Sequence, residues 1–131
     1  MATRVLNVGV ISAEDYKKRT IAIAKGEYKP RKDEPKVWFE SVRSMSQVLS
    51  SDNQELLKLI INHHPSSLAE LEKISNRKKS NLSRTLRTLE RYGIVELPKV
   101  DGKIAPKVRA TDFKVLFGIH YSSPVPNESA A

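Results

Sequence analysis

The sequence contains no cysteine. Disulfide frameworks, thiol nucleophiles and thiolate zinc sites are thereby excluded, and a reducing cytoplasm is the compartment that fits. Only five glycines are present, and none frames a nucleophile elbow, a phosphate-cradling loop or a dinucleotide fingerprint. No paired-histidine zinc motif occurs either: His63 and His64 are adjacent, without a third ligand at a usable spacing, and suit the end of a helix better than a metal. The chain is therefore read as a non-enzyme with no cofactor. The longest apolar stretches, such as residues 56–61, fall well short of the roughly 20 residues of a membrane helix, and the start of the chain has no signal-type apolar block. Membrane insertion is not expected. At 131 residues, with 39% apolar and 29% charged residues, the chain has the size and balance of one small domain carrying an added arm.

Positive charge is plentiful and uneven. Lys and Arg number 23 against 15 acids, a formal charge of +8. Residues 76–110 hold ten of the bases and only three acids, so one short stretch supplies nearly the whole excess. A polyanion or an acidic protein is the natural partner of such a surface, although a solvated face that keeps the chain soluble has the same composition. The elements that carry the charges decide between these.

Leu6, Val8 and Val10 alternate with their neighbours at strand spacing. Ser12, Glu14 and Asp15 then open a helix that ends near Gly26, with Tyr16, Thr20, Ile23 and Ala24 on one face. Residues 27–36 are charged, contain Pro30 and Pro35, and read as an exposed connection. Val37, Trp38 and Phe39 form a short strand, its aromatics either core or a partner-binding patch. Met45, Val48 and Leu49 suggest a turn or two of helix.

Asp52 caps a largely buried helix ending about residue 64, stopped by Pro65. Ser67 and Glu70 form a reciprocal capping box that opens a short helix bearing Leu68, Leu71 and Ile74. A polar turn follows, then a helix over residues 79–92. On that helix Leu82, Leu86 and Leu89 make one narrow apolar stripe, opposite Ser80, Arg84, Arg87, Thr88 and Arg91, with Asn81 on the flank. Gly93 supplies the left-handed stop. Asp101-Gly102 is a two-residue hairpin turn, and the return strand alternates Ile104, Pro106, Val108 and Ala110 with Lys103, Ala105, Lys107 and Arg109. Phe113, Val115, Phe117, Ile119 and Tyr121 continue at strand spacing; the competing reading is a helix capped by Thr111 and Asp112. Residues 122–131 are expected to be a disordered tail.

This order of elements is that of a winged helix-turn-helix: an α+β fold, here with a strand-helix-strand arm over residues 1–43 and the winged module over 44–121. A helix held by three leucines can present its other face to base edges in the major groove. The expected contacts on it are Lys78, Lys79, Ser80, Asn81, Arg84, Arg87, Thr88 and Arg91. Ser67, Arg77, Lys99, Lys103 and Lys107 are the expected contacts from the turn and the wing. The stretch SSLAELEKISNRKKSNLSRTLRTLERYGIVE resembles the helix-turn-helix of MarR-type transcriptional regulators. Asn81-Leu82-Ser83-Arg84, Leu86, Leu89-Glu90 and Gly93-Ile94-Val95 carry that pattern. With Phe39-Glu40-Ser41 ahead of it, the chain is also similar to small prokaryotic DNA-binding proteins often encoded beside a toxin gene. The resemblance implies a repressor of its own promoter with an antitoxin role; the composition adds the expectation of a cytoplasmic protein, and the basic helix and wing that of a homodimer on a palindromic site. The alternatives are a protein whose main task is to neutralise a partner toxin, and an RNA-binding module.

Overall fold

The computed structural model describes residues 3–119 of the chain. The chain is a mixed α/β protein, divided into two compact units. Of the described residues, one unit comprises 3–6 and 46–113, the other 7–45 and 114–119.

The second unit begins with strand β1 (Val5–Val10), which enters it from the first, followed by helix α1 (Ala13–Ala24) and strand β2 (Val37–Phe39). β1 and β2 are parallel, pairing Val8 with Val37, Gly9 with Trp38 and Val10 with Phe39. Parallel neighbours need a crossover, which α1 supplies. Ser12 caps α1 by accepting from the Asp15 amide at 3.2 Å. At the other end Gly26, at φ 77°, lets its amide reach Ile23 and the Glu27 amide reach Ala22, a Schellman closure. The buried face of α1 is not the expected one. Arg19 and Ala22 are buried, while Tyr16, Thr20 and Ala24 are exposed. An apolar stripe cannot reveal a face whose centre is an arginine, buried here because Glu34 meets it. For the same reason residues 27–36 are not simply an exposed connection: Tyr28, Glu34 and Pro35 are buried. Strand β7 (Asp112–Leu116) lies beside β1, giving the order β2-β1-β7. The stretch from residue 112 is thus a strand and not a helix; residues 120–121 and the expected tail lie outside the described residues.

In the first unit, helix α2 (Val42–Val48), which enters from the second, leads into α3 (Ser51–His63). The cap of α3 is Ser50, whose hydroxyl accepts from the Asn53 amide at 3.2 Å. Asp52, the expected cap, lies in the first turn, where its carboxylate favours the positive end of the helix dipole. His64 ends α3 in the left-handed region at φ 47°. Helix α4 (Leu68–Ser75) is capped by Ser67, which accepts from the Glu70 amide at 3.1 Å. The capping box is not reciprocal. The Glu70 carboxylate turns instead to Ser66, accepting from its hydroxyl at 2.7 Å and its amide at 3.2 Å. Two donors on one residue hold the carboxylate there.

Helix α5 (Lys79–Arg91) follows a three-residue turn in which Asn76 is left-handed. Leu82, Leu86 and Leu89 are fully buried, each contributing about 1.5–3 kcal/mol of transfer free energy. Leu56, Leu57 and Ile60 of α3 and Leu71 of α4 are buried in the same unit, α4 lying against both α3 and α5. Gly93, at φ 74°, closes the helix with its own amide on Glu90 and that of Ile94 on Leu89.

Four short strands come next: β3 (Val95–Glu96), β4 (Lys99–Val100), β5 (Lys103–Ile104) and β6 (Lys107–Val108). They are one hairpin. Val95 pairs with Val108, Glu96 with Lys107, Lys99 with Ile104 and Val100 with Lys103, and the Ala105 amide donates to the Pro98 carbonyl in the same register. Pro98 and Pro106 interrupt the ladder because proline has no amide hydrogen to donate. Asp101 and Gly102, at φ 53° and 78°, make the turn, the two positive φ values of a type I′ hairpin.

Candidate nucleic-acid interface

The geometry of α5 follows from its sequence. With its leucines inward, the helix must turn its basic residues outward. Lys79, Ser80, Asn81, Arg84, Arg87 and Arg91 are all exposed. Arg87 and Glu90, three residues apart, form no ion pair, and none of the ion pairs among the described residues involves α5. These cations are not neutralised within the unit. Thr88 differs from its neighbours: half-buried, its hydroxyl donates to the Arg84 carbonyl at 3.1 Å.

At the N-terminus of α5, Lys78 occupies the capping position with φ −69° and ψ 147° but makes no side-chain cap bond. The first-turn amides therefore have no side-chain acceptor. Helix ends of this kind attract anions through their unsatisfied N–H groups and dipole. Lys78 and Lys79 stand exposed at the same end.

Arg77 behaves differently from the residues with which its sequence position groups it. Its Nη2 donates to the Asp52 carbonyl at 2.7 Å and its Nη1 approaches Asn53 Oδ1 at 3.5 Å. Ser67, also expected as a contact, uses its oxygen to cap α4.

The hairpin does not present its three lysines together. Residues paired across a ladder share a face, so Lys103 lies on the side of Val100, and Lys107 on that of Glu96. Lys99, paired with Ile104, lies on the opposite side. That side carries the buried Val95, Pro106 and Val108 and meets α5: Leu97 and Ile104 border a cleft of about 210 Å³ with Leu86, Arg87 and Glu90. Lys99 is thus on the face of the hairpin nearest the arginine row, and Lys103 and Lys107 on its outer face. Ala105, read as outward-facing, is buried; its side chain is small enough to be covered from either side. Arg109 is engaged, its Nη1 lying 2.9 Å from Glu96 Oε2.

In the other unit, Phe39 is completely buried and cannot act as a partner-binding surface. Trp38 is half-buried, its ring 5.1 Å from the Arg19 guanidinium carbon. Exposed apolar residues lie elsewhere: Tyr16, Ile21 and Val42 stand singly, while Val115, Leu116, Phe117 and Ile119 follow closely on one another along β7 and just beyond it. Their alternation was legible as a strand, but not as an uncovered one.

No group of His, Asp or Glu side chains among the described residues could hold a metal ion. No helix among them is long and apolar enough to cross a membrane. No curated protein and no solved structure matches the chain. The model of one family, HVO_A0114, matches residues 48–115. That span holds α3, α4, α5 and the whole hairpin, and exceeds half of the 131 residues. By this match the chain belongs to the HVO_A0114 family.

Proposed function

We propose that the protein is a sequence-specific binder of double-stranded DNA that regulates transcription, acting as a repressor of its own promoter. The reading treats α3, α4, α5 and the hairpin as a winged helix-turn-helix. One observation carries it: α5 exposes Arg84, Arg87 and Arg91 with Asn81, and none of these arginines is ion-paired among the described residues. A solvated helix bearing arginines for solubility alone gains from local acids, as in i,i+4 pairs. A helix that reads DNA must keep them free. Thirteen residues make a rod of about 20 Å, which enters a major groove about 12 Å wide. Arginine donates two hydrogen bonds to guanine and asparagine pairs with adenine. Lys78 and Lys79, at the open end of the helix, suit backbone phosphates, and Lys99, on the hairpin face toward α5, suits the backbone beyond its other end. The likeness of this stretch to MarR-type regulators supports the same reading, with a homodimer on a palindromic operator.

The test is a fluorescence-anisotropy titration with the duplex upstream of the chain's own reading frame and a shuffled duplex, each at two salt concentrations. The expected result is strong, salt-sensitive preference for the upstream duplex. Equal binding to both would leave only electrostatic affinity and overturn the proposal.

A second reading is capture of a protein partner, such as a co-encoded toxin, with the chain as its antitoxin. The exposed Val115, Leu116 and Phe117 favour it, since they lie on and just beyond β7, an edge strand of its sheet, where a partner can add to the sheet. Co-expression and co-purification with the product of the neighbouring gene tests it; no complex would remove it.

A further inference from the structure

The sequence pattern groups Arg77 with the DNA-contacting cations, but its hydrogen bonds point inward. Its guanidinium reaches back from the turn before α5 to the first turn of α3, 2.7 Å from the Asp52 carbonyl oxygen and 3.5 Å from Asn53 Oδ1. Asn53 is itself held. Its Nδ2 donates to the carbonyls of Val48 at 3.0 Å and Gln47 at 3.5 Å, at the end of α2, which settles its oxygen toward Arg77. Gln54 adds a bond to the Leu49 carbonyl at 2.8 Å. The last carbonyls of α2, the first turn of α3 and the entry to α5 are therefore joined by one chain of polar contacts.

Among the described residues no other side-chain hydrogen bond ties the turn before α5 to α3. Lys78 makes no cap bond, and Lys79, Ser80 and Asn81 are exposed. Between this end of α5 and α3 runs an open groove of about 740 Å³, with Arg77 crossing it. The leucine stripe anchors α5 only from Leu82 onward. The orientation of the first turn, where Asn81 and the lysines sit, depends on what the turn before it grips.

We infer that Arg77 is a positioning residue: it sets the placement of the DNA-reading end of α5 by tying it to α3, and does not itself bind phosphate. The inference rests on the DNA-binding reading for its consequence, but not for the tether. Lysine separates the two roles. It carries the same charge and serves a phosphate well, but it has no planar fork with which to reach two acceptors at once. A phosphate ligand tolerates Arg77→Lys; a tether does not.

The experiment titrates the full chain and its Arg77→Lys, Asn53→Ala and Lys79→Ala variants with the upstream and shuffled duplexes over a range of salt. Arg77→Lys is expected to lower the preference for the upstream duplex about tenfold, the equivalent of one hydrogen bond to a charged group. Its affinity for the shuffled duplex and its salt slope should match the parent. Asn53→Ala, which removes no charge, should weaken preference in the same direction, while Lys79→Ala should reduce the salt slope by about one. Thermal melts establish that each variant is folded at the titration temperature. Full affinity and preference in Arg77→Lys would overturn the inference. Should the parent chain bind both duplexes equally, the DNA reading fails by itself, and amide hydrogen exchange judges the tether. Leu82, whose amide bonds the Lys78 carbonyl at 3.0 Å, and Ser83 should then exchange at least fivefold faster in Arg77→Lys; unchanged exchange would dismiss it.

Discussion

Arg19 and Glu34 form an ion pair in which both side chains are more than nine-tenths buried, with Nη2 3.3 Å from Oε2. The same glutamate oxygen accepts from the Arg31 amide at 3.1 Å. The arginine is flanked by two rings, its guanidinium carbon 5.1 Å from the centre of Trp38 and 5.8 Å from that of Tyr28. Its Nε is buried without a hydrogen-bond partner among the described residues. The pair organises the unit around β1, α1 and β2 in place of a purely apolar centre.

Breaking such a pair from one side leaves a charge buried alone. Glu34→Ala should lower stability by about 3–5 kcal/mol, whereas Arg19→Met with Glu34→Leu should recover most of the loss, because an apolar pair has no desolvation cost to offset. Urea denaturation followed by the fluorescence of Trp38, the only tryptophan in the chain, reads both. A double variant as unstable as Glu34→Ala would contradict this account.

Gly9 lies against the Trp38 ring and Pro35, and a Cβ at that position would collide with both. Gly9→Ala should cost about 1–3 kcal/mol through overpacking. Combined with Trp38→Leu, the loss should be smaller than the two single losses added, since the leucine vacates the space. Circular-dichroism melts of the four proteins close the cycle.

On α5 and the hairpin, two classes of cation should separate. Arg84→Ala is expected to cost roughly 1–3 kcal/mol on the upstream duplex and to relax base preference. Lys99→Ala should weaken binding to every duplex alike and reduce the salt slope by about one. Anisotropy titrations with single-base variants of the site distinguish them, and a uniform loss from Arg84→Ala would place that residue on the backbone instead.

Glu70 is held below its ordinary pKa by the hydroxyl and then the amide of Ser66. A carboxylate with a depressed pKa stabilises the fold above its unfolded-state pKa, and that contribution is lost as pH falls through the folded value. Glu70→Gln should therefore lower the urea midpoint at neutral pH, and the difference from the parent should narrow as the pH drops below about 4.3. A difference independent of pH would show that the carboxylate charge is not its source.

The elements of the first unit were legible because their signals are local. The Ser67 cap, the leucine stripe of α5, the left-handed Gly93 and the Asp101-Gly102 turn each act within four or five residues of sequence, whereas the cap of α3 fell on Ser50 and not on the expected Asp52. The α1 face was misread because its burial depends on Glu34, fifteen residues away. Among the site residues, the exposure of Lys79, Asn81, Arg84, Arg87 and Arg91 follows from helical period alone. The inward turn of Arg77 and the opposite facing of Lys99 and Lys103 do not, since both depend on partners brought near only by folding.

By itself, then, the sequence determined which segments become helices and turns, where they stop, and which face of α5 carries charge. Those are consequences of backbone sterics, capping chemistry and the 3.6-residue period. Only the tertiary structure decided that an arginine lies buried between two rings, that a second arginine ties the turn before α5 to α3, and that Val115 and Leu116 of β7 are left uncovered. The physical reason is one of range. A residue's secondary structure responds mainly to its near neighbours in sequence, whereas its burial and its partners are set by groups that approach only when the chain is folded.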